Sequence, residues 1–143
     1  MTGFAIAYRT AVGTLAALAM LSAAATGAEH WIALPDQPDS YASLDVGSIQ
    51  RMPSGPVSAW VRVEAANRAG MRALQRMFGA FRGDMADFQY TVDCRSQQFS
   101  VSRAKLYQGA MTVAEKQLGN DAGWQRVDGV GLAGAVAHQL CSG

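Results

Sequence analysis

The chain is 143 residues long, half of them apolar, with 12 basic and 11 acidic side chains. So even a balance gives no charge basis for binding nucleic acid or an acidic membrane surface. Setting residues 1–28 aside leaves one domain's worth of chain with eleven charges of each sign, enough for a single core.

Residues 1–28 read as a secretory signal peptide. One positive charge, Arg9, precedes an uninterrupted run rich in Ala, Leu and Val from Thr10 to Leu21, and the small residues "SAAATGA" follow. A charged start, an apolar centre and an A-x-A-like end form the export pattern. The run is shorter than the roughly 20 residues that a bilayer span needs, so no transmembrane segment is expected after cleavage. Cleavage after Ala25 or Ala28 satisfies the small-residue requirement, and cleavage after Ala28 leaves a mature domain of residues 29–143. No cysteine lies near the cleavage region to carry a lipid anchor. The expected location is therefore the periplasm, the cell surface or the medium.

Short strand-like runs separated by turn residues make up most of the mature chain. "HWIAL" (30–34) is a first strand, closed by Pro35, and "YASLDVGSI" (41–49) a second. "MPSGP" (52–56) forces a turn. "VSAWVRVEA" (57–65) alternates most clearly, with Val57, Ala59, Val61 and Val63 on one face and Ser58, Trp60, Arg62 and Glu64 on the other. In "NRAGMRALQRMFGAFRGDM" (67–85) the period changes. Met71, Leu74, Phe78, Phe81 and Met85 recur at helical spacing, and Arg68, Arg72 and Arg76 fall on the opposite side. This predicts an amphipathic helix with a basic stripe, although Gly70, Gly79 and Gly83 each cost about 1 kcal/mol against alanine. The stripe is either the solvated back of a surface helix or an anion-binding or membrane-surface face. "FQYTVDC" (88–94), "QFSVSRAKLY" (98–107) and "GAMTVAEKQL" (109–118) are three further strands. "GNDAG" turns the chain before Trp124, and "GLAGAVAHQLC" (131–141) is a helix with Leu132, Val136 and Leu140 on one face. The fold class is α+β: a small antiparallel sheet of about six strands, a C-terminal helix, and an amphipathic helix between strands 3 and 4.

Cys94 and Cys141 are the only cysteines. An even pair in an exported chain favours a disulfide, which here would close a loop of about 48 residues and tie the C-terminal helix to a strand. Redox or nucleophilic chemistry would want a C-x-x-C spacing or a partner histidine, and the first is absent while His138 alone stands near a cysteine. Nothing else points to catalysis or metal binding. There is no G-x-S-x-G elbow. His30 and His138 lack further zinc ligands, and Asp84, Asp87 and Asp93 lack the glycine and glutamate of a calcium loop. No enzyme activity, cofactor or metal is expected.

Taken together, the ordered blocks resemble the surface-adhesin protein E-like domain family of Gram-negative bacteria. They are an early Trp31, the block Tyr41, Asp45, Ser48, Ile49 and Arg51, then Val57 and Trp60. Tyr90, Asp93 and Cys94 follow, then Tyr107 and Gly109, Trp124, and the closing Cys141. The resemblance spans nearly all of the mature chain. It implies a small antiparallel sheet with a disulfide-tied C-terminal helix, export to the envelope, and in named members adhesion to host matrix proteins. The chain departs from the family in lacking an anchoring cysteine and in having Asp128-Gly129-Val130 before its last helix. Two functions fit these residues. One is an adhesin-like binding module that meets a host matrix or envelope protein, or a glycan, through an exposed sheet face or through Arg68, Arg72 and Arg76. The other is a periplasmic structural or accessory protein.

Overall fold

A computed structural model describes residues 29–79, 81–118 and 123–142. The expected signal peptide and most of the "GNDAG" turn lie outside the described residues. Among these there are eight strands and two α-helices. The strands are β1 (Trp31–Ala33), β2 (Ser40–Asp45), β3 (Gln50–Arg51), β4 (Val57–Ala65), β5 (Met85–Asp93), β6 (Gln98–Gln108), β7 (Met111–Gln117) and β8 (Gln125–Arg126). The helices are α1 (Arg68–Phe78), between β4 and β5, and α2 (Gly131–Cys141) at the end. All pairings are antiparallel, in the order β1-β2-β4-β5-β6-β7, with β3 on β4 and β8 on β6. The sheet-rich architecture and both helices match the sequence pattern. The two strands beyond the expected six, β3 and β8, are two residues each.

One face of the sheet is apolar and the other polar, as the period-2 patterns require. Leu44, Val57, Ala59, Val61, Ala86, Phe88, Tyr90, Val92, Ala104 and Leu106 point inward and are buried. Both helices join them in one core, α1 through Leu74 and Phe78, α2 through Val136, Ala137 and Leu140. Phe78 stacks on Phe88 with ring centroids 5.8 Å apart and meets Phe81 edge-on at 6.0 Å.

The structure revises two boundaries. The second strand stops at Asp45 instead of running to Ile49, because residues Val46–Ser48 form a 3₁₀ turn. Asp45 Oδ1 accepts from the backbone of both Gly47 (3.0 Å) and His30 (2.9 Å). Ser48 Oγ donates to the Asp45 carbonyl (2.7 Å) and accepts from Trp60 N (2.8 Å), so the interruption is pinned to β4. The amphipathic helix likewise ends at Phe78, where Gly79 turns the chain at φ +67°. Phe81 is buried beyond the helix and Met85 opens β5, so neither belongs to the helical stripe. Met71 is outside the core face, and Gly70 takes an inward place with Leu74 and Phe78. A Cβ at Gly70 would stand 2.1 Å from the Asp39 carbonyl oxygen, so only glycine lets the helix approach this closely. Asn67 caps the start, accepting from Gly70 N (3.0 Å) and donating to Asp39 Oδ1 (3.0 Å).

The hairpin between β5 and β6 is held by Asp93, whose Oδ1 accepts from the backbone of Arg95 (3.0 Å) and Ser96 (3.3 Å). Hydrogen bonds from Ser96 and Arg95 keep the Asp93 carboxyl below its ordinary range. Beside it, Cys94 is bonded to Cys141 with Cα atoms 5.6 Å apart, and the last turn of α2 is thereby tied to the end of β5. This helix has 11 residues and no side-chain cap at its N-terminus, so tertiary contacts must supply its stability.

Two outcomes follow. Replacing both cysteines by serine lowers unfolding stability by about 4 kcal/mol, and hydrogen exchange shows α2 losing protection before the strands do. The second concerns Tyr90, 8% exposed, whose hydroxyl is pushed up by burial to about 12. Below pH 10 folded and unfolded chains both hold this proton. Between pH 10 and pH 12 the unfolded chain loses it while the folded one keeps it, and stability falls by about 2 to 3 kcal/mol across that window. Alkaline titration of urea midpoints in the parent and in Tyr90→Phe checks this, the variant showing the smaller fall.

Candidate functional site

The outward face of β4, β5 and β6 concentrates the polar chemistry of the domain. Antiparallel register sets Arg62 opposite Asp87, and Asp87 opposite Lys105. Arg62 Nε donates to Asp87 Oδ1 at 2.8 Å and its Nη2 to Oδ2 at 2.9 Å, a two-point pair across the strands. Tyr107 Oη also donates to Oδ2, at 2.8 Å. The guanidinium carbon lies 4.2 Å from the centroid of the Trp31 ring and 5.3 Å from that of Tyr107. Aromatic faces thus cover a cation whose carboxylate partner is only 6% exposed at its side chain.

Each element contributes one member for a local reason. β1 supplies Trp31, β4 supplies Arg62, β5 Asp87 and β6 Tyr107, all at outward positions. Donating charge-assisted bonds pushes Arg62 further up from its already high range, the bond to Asp87 being the main cause. Burial, then the bond to Asp87, pushes the Tyr107 hydroxyl up. Engaged by three donors from Arg62 and Tyr107, the Asp87 carboxylate links β4, β5 and β6 through their side chains.

A second group adjoins it. Lys105 Nζ lies 4.3 Å and Arg103 Cζ 5.8 Å from the Trp60 ring centroid, and Arg103 pairs with Glu115 on β7. Trp60, read from the sequence as an aromatic on the polar face awaiting another element, is covered instead by cationic side chains of β6, the next strand but one. Their alkyl stems and charged heads shield the ring, and Arg103 Nε is buried there without a hydrogen-bond partner.

Arg68, Arg72 and Arg76 lie apart from this face. All three are exposed on the outer side of α1, spaced about 6 Å apart along the axis. The helix contains no acidic residue, and none of the three makes a hydrogen bond or ion pair with a described residue. Cys94 and Cys141 are brought together as a disulfide, not as thiols. Among the described residues no group of three or more His, Cys, Asp or Glu could hold a metal ion, and no helix is long and apolar enough to cross a membrane.

The blocks behind the family resemblance turn out to occupy structural places. Asp45 and Ser48 build the 3₁₀ turn, Ile49 packs on the core, Tyr90 is in the core, Asp93 holds the hairpin and Tyr107 joins the Arg62 cluster. Gly109 begins the β6–β7 turn at φ +60°, where a left-handed backbone is needed. Tyr41 and Trp124 are exposed, at 57% and 47%. No protein-family model matches the chain, nor does any curated protein or solved structure.

Sequence patterning alone missed the Arg62–Asp87–Tyr107–Trp31 cluster. The outward placement of Arg62 was readable from alternation, but its partner stands 25 residues away and only strand register joins them. Removing Asp87 should leave Arg62 and Tyr107 without their acceptor. Asp87→Ala is therefore expected to cost about 3 kcal/mol in urea unfolding, and Asp87→Asn, which keeps one acceptor oxygen, clearly less.

Proposed function

We propose that the protein is an exported, non-enzymatic, adhesin-like binding module of the cell envelope, akin to surface-adhesin protein E-like domains. Its contact surface is the Arg68, Arg72 and Arg76 stripe, and its partner is a host matrix or envelope protein, or a glycan, that presents clustered acidic groups. Support for export comes from the leader-like start of the chain, and support for the family from the order of its blocks.

The single observation that carries the surface is the electrostatic cost of the stripe. Like charges four residues apart on a helix repel by about 0.2 to 0.5 kcal/mol per pair. Arg68 moreover stands at the positive end of the helix dipole, where a cation is unfavourable, and only Arg76 lies in the last turn, where one is favoured. With no carboxylate on the helix to offset this, the three arginines do nothing for folding that lysine, glutamine or alanine would not do as well. They are instead arranged to donate, and guanidinium groups in a row suit carboxylates and sulfates by two-point bonding. The outward sheet face is a poorer candidate, because cations already lie over the Trp31 and Trp60 rings.

The test is retention of the oxidised protein on immobilised heparin and on extracts of envelope and host matrix, at about 50 mM salt and again at higher ionic strength. Parent protein should be retained and released as salt rises. Replacing Arg68, Arg72 and Arg76 together by alanine should abolish retention while leaving the thermal midpoint unchanged or slightly raised. Equal retention of parent and triple variant would remove the stripe from the proposal, and failure of the parent to bind either surface would remove the binding module itself.

A further inference from the structure

On the inward side, the two helices do not close over the whole sheet. Between α1 and α2 lies an open-mouthed cavity of about 290 Å³. Leu74 and Met77 form one wall, Leu132 the other, and Val63, Phe88 and Tyr90 the floor. Protein interiors are packed as densely as organic crystals, so an apolar space of this size in so small a domain is conspicuous. It is about twice the roughly 150 Å³ apolar cavity that admits benzene.

Two observations define what the space would take. Tyr90 is 8% exposed, lines the cavity, and its hydroxyl makes no hydrogen bond with any described residue. The hydroxyl itself is not sealed from solvent, so the floor holds one unpartnered donor and acceptor in a lining that is apolar apart from Asp39 and Ser40. The second observation is charge. Asp39, at the cavity edge, is the only charged residue among the described residues of the lining, and none of these is a cation. One oxygen of Asp39 already accepts from Asn67 Nδ2. An anionic head group would meet a carboxylate there and no counter-charge, whereas a neutral group would meet no penalty. Met77, 60% exposed at the rim, adds an unbranched, polarisable side chain able to adjust to different shapes.

We propose that the groove between α1 and α2 binds a small neutral amphiphile, a chain or fused-ring body of about eight to twelve carbons whose single hydroxyl or carbonyl group bonds to Tyr90 Oη. The site is independent of the arginine stripe, since Ala73 and Met77 flank the core side of α1 while Arg68, Arg72 and Arg76 lie on its back.

The experiment is a methyl and amide NMR titration of the full, oxidised chain with 1-octanol, octanoate and xenon. Octanol should saturably shift the methyl signals of Leu74, Met77 and Leu132, and octanoate should bind at least tenfold more weakly. Tyr90→Phe should weaken octanol five- to tenfold and leave xenon uptake unchanged, which also reports that the cavity survives the substitution. Ala73→Trp, at an exposed helix position on the rim, should block both octanol and xenon. The triple arginine variant should bind octanol as the parent does, so a failed arginine stripe and a failed cavity are told apart. Equal affinity for octanol and octanoate, or an octanol affinity indifferent to Tyr90→Phe, would overturn the proposed recognition. Absence of shifts with both octanol and xenon would show a space held by water alone and overturn the site.

Discussion

An apolar sheet face spanning β2 to β6 must be covered, and among the described residues two α-helices of 11 residues each cover it. That constraint accounts for most of what is unusual in the domain. Helices so short are marginal by themselves, and each is therefore fixed by something other than its own hydrogen bonds. The first is held at its N-terminus by the Asn67–Asp39 bond and by backbone contact at Gly70; the second is held at its C-terminus by a disulfide. A glycine-rich, alanine-rich helix such as α2 buries little area per turn, and Val136, Ala137 and Leu140 are its only buried members. The covalent tie compensates by limiting the conformations open to the unfolded chain.

The outward face shows the complementary solution. No described element lies over it, yet Trp31, Trp60 and Tyr107 all project there. Their rings are screened by Arg62, Arg103 and Lys105, whose stems lie along aromatic surface while their charges are paired or hydrated. Since Arg62 and Asp87 sit on adjacent central strands, their pair also helps to set the β4–β5 register. A slip of β4 by one residue would move Val61 outward and turn Arg62 into the core, away from Asp87. Polar specificity and hydrophobic burial thus select the same alignment.

What the amino-acid pattern revealed and what it hid divide along physical lines. Alternation located β4 to within a residue and placed Val57, Ala59 and Val61 inward, because side-chain period depends only on local backbone geometry. The Arg68, Arg72 and Arg76 stripe was legible for the same reason, since helical spacing alone puts the three on one side. The stop at Asp45 was not, because it depends on bonds to His30 and, through Ser48, to Trp60, which are distant in sequence. The helix end was hidden by an accident of spacing: Phe81 and Met85 continue the rhythm of Leu74 and Phe78 after the helix has ended. Tyr90 was visible as part of a strand, but the cavity beside it is space left between two helices, which no sequence period encodes.

The position of α1 connects the surface and the interior. Its rotation about its own axis is fixed by Gly70, where any side chain would strike Asp39, and by Leu74 and Phe78, which are buried against the sheet. With that side fixed, residues two positions on must face away from the core, and these are Arg72 and Arg76, with Arg68 one turn earlier. The same geometry turns Ala73 and Met77 toward α2 and leaves them at the rim of the cavity. The helix cannot roll to bury its arginines or close the groove without driving Gly70 from its contact and exposing Phe78. A rigidly oriented row of like charges loses little side-chain and helix freedom when it meets an acidic surface, and that preorganisation, more than the number of charges, is what distinguishes the stripe from the other exposed cations of an electrically balanced domain.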